Sequence, residues 1–528
     1  MSDHFLLRLL PLGEVLFAGG LLLHGCGGGG GGAADAPAKP NVEDLKLACA
    51  SLNGQVVEGV AVSQTTRFEA GAAGGTAGFC QVQGTRTPYL DIEVVVPDNW
   101  TGRYWQQGGG GFDGRIPSAL TSDGNGKLVE LNPVVALKGA VYAASNGGNR
   151  ADIAAQAAPQ VWWNGTDAGR QSAIDYAYAA TGTTLQFGKA VAKAFHGKAP
   201  SYSYFNGCSN GGRNAYIVAQ RWPQEFDGIV AGCETMDMSG QTSAWLQSAS
   251  FNGSPAALSA AQSSAAYAAA VSACDALDGV NDQVLANPMA CKLDPAALQC
   301  GAAGASSDPA ICLNAEQVRL ARSYLQDLQL PDGRTVLSAY WWGPRLGQYW
   351  GQIGGGFAFL ATGNAAWLTP ARQAAFLLES DYPLLTEGFA RMGADHDKAA
   401  IARFVASGRK LISWHAGNDD VLSPNDHYRN WYTMTGLARS EGLANPETAT
   451  RFFVVPGTSH GQGQLLQEVD WATAIMAWVE NGVAPTQLTY SFQSGAGSRS
   501  IPVCQHPLYP RYQGAGDVNL ASSFSCVP

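Results

Sequence analysis

The chain has 528 residues, 46% of them hydrophobic, and a formal net charge of −10 from 32 Lys and Arg against 42 Asp and Glu. A single hydrophobic core rarely serves more than about 250–300 residues, so this length argues against one compact domain without insertions. The acidic balance leaves no basic stripe for a phosphate backbone, which argues against nucleic acid as a partner. A small neutral or apolar substrate suits this composition better.

The first 26 residues have the pattern of a bacterial lipoprotein signal. The segment from Leu6 to Leu23 is largely apolar, and Cys26 stands where such signals are cleaved and lipidated. We predict a signal peptide over residues 1–26, and therefore a secreted or periplasmic protein, with a lipid anchor to the outer membrane through Cys26 left open. The apolar stretch is too short and interrupted to predict a membrane span. A glycine run and an Ala/Pro segment then predict a flexible linker over residues 27–40.

The cysteines support export. Removing Cys26 from the eleven leaves ten, and an even number suits disulfides in an oxidising compartment. Three short-range pairs, 274/291, 300/312 and 504/526, favour this interpretation over a reduced protein with scattered core cysteines. No CxxC pair indicates a zinc site. The ten are Cys49, Cys80, Cys208, Cys233, Cys274, Cys291, Cys300, Cys312, Cys504 and Cys526.

Strands and helices alternate over residues 41–235, which we assign to the first part of a catalytic domain. Short β-rich runs are expected from Asn41 to about Asp98, and a strand follows that leads into glycines. Three further elements are the strand Lys138–Ala144, the helix Gln186–His196 and the strand Tyr202–Asn206. This alternation predicts a parallel sheet that is covered by helices on both faces.

The composition changes over residues 236–407, where Ala- and Ser-rich helical stretches, cysteine-bounded loops and clustered aromatic residues predict an inserted lid domain. Residues 408–528 are predicted to complete the catalytic domain, because strand-like runs return at Lys410–Trp414 and Phe452–Val455. A closing helix is expected from Val469 to Val479.

Two pentapeptides fit the nucleophile-elbow pattern G-x-S-x-G, one around Ser209 and one around Ser459. Ser209 follows a predicted strand and precedes a helical run, which is the context that the elbow requires. Ser459 precedes no comparable helix, and it leaves no room for an acid and then a histidine downstream. We therefore predict Ser209 as the nucleophile and an α/β-hydrolase fold with a large inserted lid domain.

The acid and the base of a triad are expected after the next two strands. Asp419 follows Lys410–Trp414 and is the first choice for the acid, with its neighbour Asp420 second. His460 follows Phe452–Val455 and is predicted as the base. The alternative for any single histidine is a core or surface residue, but the order of the three residues favours the triad.

A serine hydroxyl is a weak nucleophile at neutral pH, so it needs a histidine to take its proton and an acid to orient that histidine. The oxyanion that forms needs fixed donors. We predict the backbone amides of Asn210 and of the glycine run, at Gly110 and Gly111, for this role. The alternatives for the glycines are a plain loop or a phosphate cradle, but the Lys-Ser/Thr of a Walker motif is missing.

The segment Tyr204–Arg213 resembles the tannase and feruloyl esterase family, as do Ala219–Pro223, Phe226–Gly232, Pro97–Trp100 and Gly482–Pro485. The resemblance covers roughly residues 41–528. It implies an esterase for aromatic acids such as gallate, ferulate or terephthalate, whose substrate binds under a lid, and it implies no organic cofactor.

The resemblance also implies a calcium loop in the lid, within Cys274–Val284. Asp275, Asp278 and Asp282 would supply carboxylates, and the carbonyls of Val280 and Val284 would complete an all-oxygen shell. Without the resemblance, an acidic surface turn is the better interpretation.

The family pattern joins a cysteine before the nucleophile to one directly after the base, but here Gly461 follows His460. Pairing 49 with 80 and the three short-range pairs leaves Cys208 and Cys233. Neighbouring strands lie about 4.8 Å apart, which suits a disulfide. We therefore predict a Cys208–Cys233 bridge, with two free buried thiols as the alternative.

The predicted function is hydrolysis of a small aromatic carboxylic ester through an acyl-enzyme, by a protein that we expect to be a monomer. Two alternatives stay open: an esterase or lipase for aliphatic acyl groups, and a hydrolase-fold binding protein that has lost catalysis. Lid aromatics are candidates for an aryl pocket, though they suit a lid core equally. They are Trp341, Trp342, Tyr349 and Trp350. Arg345 and Arg372 are weaker candidates for binding a substrate carboxylate.

Overall fold

The computed structural model describes residues 41–150, 165–234, 236–251, 256–348, 350–495 and 497–528. The predicted signal peptide and linker lie outside these ranges, as does Tyr349. Residues from Val42 onward form one compact unit. No helix in the described part of the chain is long and apolar enough to cross a membrane.

The strands of the described chain are β1 (Val56–Val57), β2 (Val60–Phe68), β3 (Phe79–Arg86), β4 (Leu90–Pro97), β5 (Arg103–Gln107), β6 (Leu120–Ser122), β7 (Leu128–Leu131), β8 (Val141–Ser145), β9 (Tyr202–Cys208), β10 (Gly228–Gly232), β11 (Leu328–Gln329), β12 (Thr335–Leu337), β13 (Lys410–Ala416), β14 (Thr450–Val455), β15 (Gln487–Ser494), β16 (Gly497–Gln505), β17 (Tyr509–Tyr512) and β18 (Phe524–Val527).

The α-helices are α1 (Val42–Leu52), α2 (Pro133–Ala136), α3 (Asp167–Ile174), α4 (Ala180–His196), α5 (Asn210–Arg221), α6 (Met238–Ala249), α7 (Ala260–Cys274), α8 (Ala315–Tyr324), α9 (Gly351–Thr362), α10 (Pro370–Ala374), α11 (Leu378–Met392), α12 (Lys398–Ala406), α13 (Pro424–Ser440) and α14 (Trp471–Asn481).

A twelve-stranded mixed sheet organises the fold, in the order β1-β2-β3-β4-β8-β5-β9-β10-β13-β14-β16-β15. The six strands from β8 to β14 run parallel, and antiparallel strands extend the sheet at both ends. Crossover helices connect parallel strands, so both faces of the central sheet are covered. The expected parallel sheet is therefore its centre, and the edges are antiparallel.

Each face of the sheet has its own hydrophobic core. Residues of α4, α5, α12 and α13 pack on one face, and residues of α2 and α14 pack on the other. The strands between them are apolar on both sides, and Gly228–Gly232 is buried along its whole length. Continuous apolar runs of this kind are typical of a central parallel strand. The ends of these strands are therefore held rigidly, and the site described below lies there.

The segment between β10 and β13 contains helices α6 to α12 and two further clusters of buried side chains. One cluster joins α6, α9 and α11, and it includes the stacked rings of Trp245 and Phe357. The lid-like segment therefore has its own apolar core.

The N-terminal prediction was wrong at its start, where residues 42–52 form helix α1 instead of a β-rich run. Leu45, Cys49 and Leu52 are buried at spacings of three and four residues, which is a helical period. The helix has only 11 residues, and the sequence prediction treated it together with the β-rich runs that follow it. Cys49 fixes the helix to β3 through its disulfide with Cys80.

Four of the five predicted disulfides are present, namely Cys49–Cys80, Cys274–Cys291, Cys300–Cys312 and Cys504–Cys526. Disulfides of this number are typical of an oxidising compartment.

The fifth prediction, Cys208–Cys233, was wrong: both are free thiols, and both are buried. Gly232, not Cys233, pairs with Cys208 in the sheet, and the backbone then turns at Cys233, which has a φ of 45°. Burial, together with a hydrogen bond to Cys233, raises the pKa of the Cys208 thiol, which disfavours the thiolate that disulfide formation needs. The structure therefore agrees with the alternative prediction, two free buried thiols.

Candidate active site

Ser209 stands at the turn between β9 and α5 with a φ of 61° and a ψ of −125°. An L-residue in this region is strained, and such strain is typical of functional turns. The Ser209 amide donates a hydrogen bond of 3.0 Å to the carbonyl of Gly232, which fixes the turn to the neighbouring strand. The hydroxyl is therefore presented at the carboxyl ends of the parallel strands, as the elbow pattern predicts.

The glycines of the elbow are required by close backbone contacts. A Cβ on Gly207 would lie 2.4 Å from the backbone of Gly211, and one on Gly211 would lie 2.7 Å from the carbonyl oxygen of Gly109. Neither distance is tolerated between real atoms. The same contacts bring the glycine run after β5 against the start of α5.

The structure brings Ser209, His460 and Asp419 into one hydrogen-bonded row. The Ser209 Oγ lies 3.0 Å from Nε2 of His460, and Nδ1 of His460 lies 2.7 Å from Oδ2 of Asp419. The other carboxylate oxygen, Oδ1, accepts hydrogen bonds from the amides of Val421 and Leu422 at 2.9 and 3.0 Å. This is the geometry of a nucleophile, a base and an orienting acid.

Electrostatics favour an ionised Asp419 beside a basic His460. Burial opposes the charge of Asp419, but His460 and His415 together keep the pKa of its carboxyl well below the usual range. Burial also lowers the pKa of His460, yet the attraction and the hydrogen bond of Asp419 outweigh it and raise that pKa to about 9. The buried carboxylate therefore increases the proton affinity of the imidazole.

The second choice for the acid, Asp420, faces another partner. Its carboxylate accepts hydrogen bonds from the backbone amide of Arg345 and from the Arg345 guanidinium, at 2.9 Å for the latter. Asp420 therefore orients Arg345, whose guanidinium also lies 5.0 Å from the ring centre of Trp350.

The predicted oxyanion residues lie around Ser209. Gly110 and Gly111 line a cleft on one side of the serine, and Gly111 and Asn210 line a cavity on the other. Gly111, at a φ of 56°, is held by Tyr176, whose hydroxyl donates to its carbonyl at 2.8 Å.

A polar network that could not be selected from the sequence fixes this glycine run to α5. Asp113 Oδ1 accepts a hydrogen bond of 2.7 Å from the Asn210 side chain, whose Oδ1 in turn accepts from Arg213 Nε at 2.7 Å. Burial raises the pKa of Asp113 to about 7, although Asn210 and Arg213 oppose the shift. The three side chains join the loop to the elbow.

A cavity of about 290 Å³ extends from Ser209 toward the lid segment. Its wall is mostly apolar and is formed by Met238, Trp245, Ile353, Phe357, Val421 and Leu422. Ligand pockets range from about 300 to 1,000 Å³, so this volume suits one small ring system. Arg345 and Trp350 also line it.

A larger and more polar cleft of about 750 Å³ opens on the other side of Ser209 and His460. Its polar side chains include Gln107, Arg115, Ser118, Asn132 and Gln464. The reacting atoms therefore lie between a small apolar cavity and a wide polar cleft.

The lid residues singled out from the sequence divide into two groups. Trp350 and Arg345 line the small cavity, whereas Trp341 and Trp342 are buried in hydrophobic clusters away from it. Arg372 pairs with Asp381 at 2.5 Å and does not reach the site.

The acidic loop in the lid segment has donor atoms that suit a hard cation. Oδ1 of Asp275 and Oδ2 of Asp278 are buried with no hydrogen-bond partner, and burial with two neighbouring carboxylates raises the pKa of Asp278 to about 7. Asp282 is paired with Arg499 at 2.5 Å. Buried carboxylate oxygens of this kind fit calcium. The ligand atoms of the three aspartates do not all lie within 4.8 Å of one another, a condition that in the described chain is met by Cys233, Asp419 and His460.

The amides of Val280 and Val284, the two residues predicted to supply carbonyl ligands, donate to side chains of this loop. Their acceptors are Oδ1 of Asp278 and Oδ1 of Asp282, both at 3.1 Å. The loop is therefore a compact turn in which one oxygen of Asp278 and one oxygen of Asp282 already accept backbone hydrogen bonds.

Comparisons with known proteins agree with this geometry. The family model described as tannase and feruloyl esterase matches residues 74–375 and 392–527. An uncharacterized esterase of Xanthomonas campestris is 30% identical, with 91% of each chain covered. The mono(2-hydroxyethyl) terephthalate hydrolase of Piscinibacter sakaiensis is 28% identical over 83% of this chain and 82% of its own.

The crystal structure of feruloyl esterase B from Aspergillus oryzae superposes with a TM-score of 0.74 at 21% identity, covering 92% of this chain and all of that one. This likeness confirms the predicted α/β-hydrolase fold. Taken with the family match over most of its length, it identifies the chain as a carboxylic ester hydrolase of the tannase and feruloyl esterase family.

Proposed function

We propose that the chain is a serine esterase that hydrolyses esters of small aromatic acids through an acyl-enzyme. The observation that carries the proposal is the row Ser209–His460–Asp419 at the mouth of an apolar cavity lined by stacked aromatic rings.

In the first half of the reaction, the Ser209 Oγ attacks the ester carbonyl while His460 Nε2 takes its proton. The negative charge that develops on the carbonyl oxygen would be stabilised by the amide of Asn210 and by an amide of Gly110 or Gly111. The C–O bond of the ester then breaks, and His460 returns the proton to the leaving alcohol. Water repeats these steps on the acyl-enzyme and releases the acid.

The two spaces beside Ser209 support an assignment of the two halves of the substrate. The small apolar cavity suits the acyl group, because its wall includes the rings of Trp245 and Phe357, whose centres lie 5.4 Å apart, and aromatic walls favour an aryl ring. The larger polar cleft suits an alcohol that carries hydroxyl groups.

Arg345 bears on the choice among aromatic acids. Its guanidinium is paired with Asp420 at 2.9 Å, so Arg345 is not a free cation for a substrate carboxylate. We therefore expect neutral aryl groups to be preferred over an aryl group that carries a second carboxylate, for which desolvation is not compensated.

We also propose that Asp275, Asp278, Val280, Asp282 and Val284 hold a structural calcium ion. The two buried carboxylate oxygens without partners support this proposal. Bound calcium would order the loop by balancing its carboxylates. The loop takes no part in the chemistry.

Export is a further proposal, and the four disulfides support it. Attachment of lipid to Cys26 and a monomeric state rest on the sequence alone. Mass determination of the mature protein tests the first of these two, and sedimentation tests the second.

Turnover of p-nitrophenyl acetate tests the serine mechanism. We expect a burst of about one p-nitrophenol per chain, because acyl-enzymes accumulate when their hydrolysis is slow. Ser209→Ala should abolish the burst, whereas Ser459→Ala, in the second G-x-S-x-G pentapeptide, should retain it. A folded wild-type protein without turnover would favour the binding-protein alternative.

A panel of esters tests the acyl group. It should contain galloyl, feruloyl and terephthalate half-esters together with acetyl, butyryl and octanoyl esters of the same alcohol. Higher kcat/KM on neutral aryl esters supports the proposal, and preference for the octanoyl ester would favour the aliphatic alternative.

A further inference from the structure

Asp419 has a second histidine neighbour that the triad does not include. His415, near the end of β13, places its Nε2 3.2 Å from Oδ2 of Asp419, the same oxygen that lies 2.7 Å from Nδ1 of His460. His415 and Asp419 are both fully buried. The contact falls outside good hydrogen-bond geometry and Nε2 of His415 has no other hydrogen-bond partner in the described chain, so the oxygen that orients His460 is the acceptor available to it.

A row of buried polar groups continues from His415. Its Nδ1 lies 2.9 Å from Nδ1 of His427, and Nε2 of His427 lies 2.6 Å from the hydroxyl of Tyr216. That hydroxyl lies 2.7 Å from Oγ of Ser413. The members come from β13, α13 and α5, and all are fully buried.

When both histidines are neutral, the donors and acceptors of these groups allow only one direction of hydrogen bonding along the row. An ionised Asp419 only accepts, so His415 carries its proton on Nε2 and its Nδ1 accepts. His427 then donates from Nδ1 and accepts at Nε2.

The row ends on two hydroxyls. Tyr216 donates to His427 and accepts from Ser413, so every donor in the row points toward the carboxylate. Burial keeps the pKa of His427 well below its usual value, in agreement with a neutral ring.

A protonated His415 would reverse the row. Its Nδ1 would then donate to His427, which would donate from Nε2 to the Tyr216 oxygen. Asp419 is already paired with His460, so a protonated His415 would bury a second positive charge beside one carboxylate, and an uncompensated buried charge is costly. The neutral arrangement satisfies the same contacts without that charge.

We propose that His415 is a positioning residue of the catalytic row, held by His427, Tyr216 and Ser413 in the tautomer whose Nε2–H faces Asp419. It fixes Oδ2 toward His460, as the amides of Val421 and Leu422 fix Oδ1. The inference rests on the proposed role of Asp419 in the serine mechanism.

The tautomers can be measured without turnover. Side-chain ¹⁵N NMR of the Ser209→Ala variant at neutral pH resolves the histidine signals, and His415→Phe and His427→Phe assign the two of interest. We expect a proton on Nε2 of His415 and on Nδ1 of His427. A proton on Nε2 of His427, or on both nitrogens of His415, would overturn the proposal.

Kinetics test the positioning role. Tyr216→Phe removes one hydroxyl, and His415→Phe removes the donor to Asp419. We expect each to lower kcat by about tenfold with KM within about twofold, since a buried hydrogen bond contributes on this scale. His506→Phe is the matched control, because His506 is also a buried histidine but its ring contacts are with Trp341, Tyr428 and Phe452.

The control should keep kcat within about twofold of wild type. Equal kcat in wild type and Tyr216→Phe, with the melting temperature retained, would contradict a positioning role. A wild-type protein without esterase activity would instead contradict the proposed function, and the NMR experiment would still decide the direction of the row.

Discussion

The charge of Asp419 is the feature whose removal tests the triad most quantitatively. Asp419→Asn keeps the shape of the side chain but replaces a carboxylate that lies 2.7 Å from Nδ1 of His460. The amide can donate toward Nδ1, which favours the wrong imidazole tautomer, and it cannot stabilise the imidazolium. The fold should be retained, because the single amide oxygen can still accept from Val421 and Leu422 when the amide nitrogen replaces Oδ2.

The size of the effect follows from the pKa of His460, which is raised from 6.5 to about 9 although burial alone would lower it. One pKa unit corresponds to about 1.4 kcal/mol, so the pair stabilises the imidazolium by roughly 3 kcal/mol or more. A loss of that size lowers kcat by at least about a hundredfold.

The raised pKa of His460 also predicts the direction in which kcat/KM changes with pH. Only a neutral His460 can take the Ser209 proton, so kcat/KM of the wild type should rise with pH and level off above about 9. In Asp419→Asn, no carboxylate offsets the effect of burial on His460, so the midpoint of the rise in kcat/KM with pH should fall below 6.5. Kinetics with p-nitrophenyl acetate from pH 5 to 10 measure this rise in the wild type and in the variant.

Asp420→Asn is the matched control. It removes the charge of a buried carboxylate that pairs with the partly exposed Arg345 in the cavity wall, and it should change KM more than kcat. An Asp419→Asn variant with kcat within tenfold of wild type, or with an unmoved midpoint, would refute the reasoning.

Three other predictions concern the elbow, the acidic loop and the thiols. Gly211→Ala should lower kcat about 10- to 100-fold in steady-state assays, because its Cβ would displace the glycine run, whereas Gly436→Ala in α13 meets no atom within 4 Å and should leave kcat unchanged. EDTA should lower the melting temperature of the wild type by several degrees with little direct effect on turnover, since a ligand of the folded state stabilises it by mass action; an unchanged melting temperature and no calcium in metal analysis would contradict the site. Thiol titration of the unfolded mature chain without reductant should count Cys208 and Cys233, with Cys26 added only if it is retained without lipid; alkylation of neither would contradict two free thiols.

Much of the catalytic domain could be predicted because its signals are local. The strands before Ser209, Asp419 and His460 each differ from prediction by two residues at one end. Buried parallel strands are continuous apolar runs, and the nucleophile elbow has fixed spacing, so both can be recognised in one sequence.

The parts that could not be predicted depend on contacts between distant residues. His415, His427 and Tyr216 are unremarkable in the sequence, and only the packing of β13, α13 and α5 aligns them behind Asp419. Asp113 and Arg213 are joined to Asn210 in the same way. No periodicity or motif marks a polar side chain that will be buried.

The Cys208–Cys233 prediction failed for a related reason. Strand spacing allowed a bridge, but the outcome depended on the turn at Cys233, which begins one residue beyond the register position of Cys208. The backbone conformation at the end of a strand cannot be predicted from a local sequence pattern.

Covalent labelling tests the central claim most directly. A small fluorophosphonate reacts with a serine that is activated by a neighbouring base and forms a stable adduct. Peptide mapping of the labelled wild-type protein should find one adduct per chain, on Ser209, and Ser209→Ala should take up none while Ser459→Ala labels as the wild type does. An unlabelled wild-type protein that is folded, or an adduct on Ser459, would contradict the account.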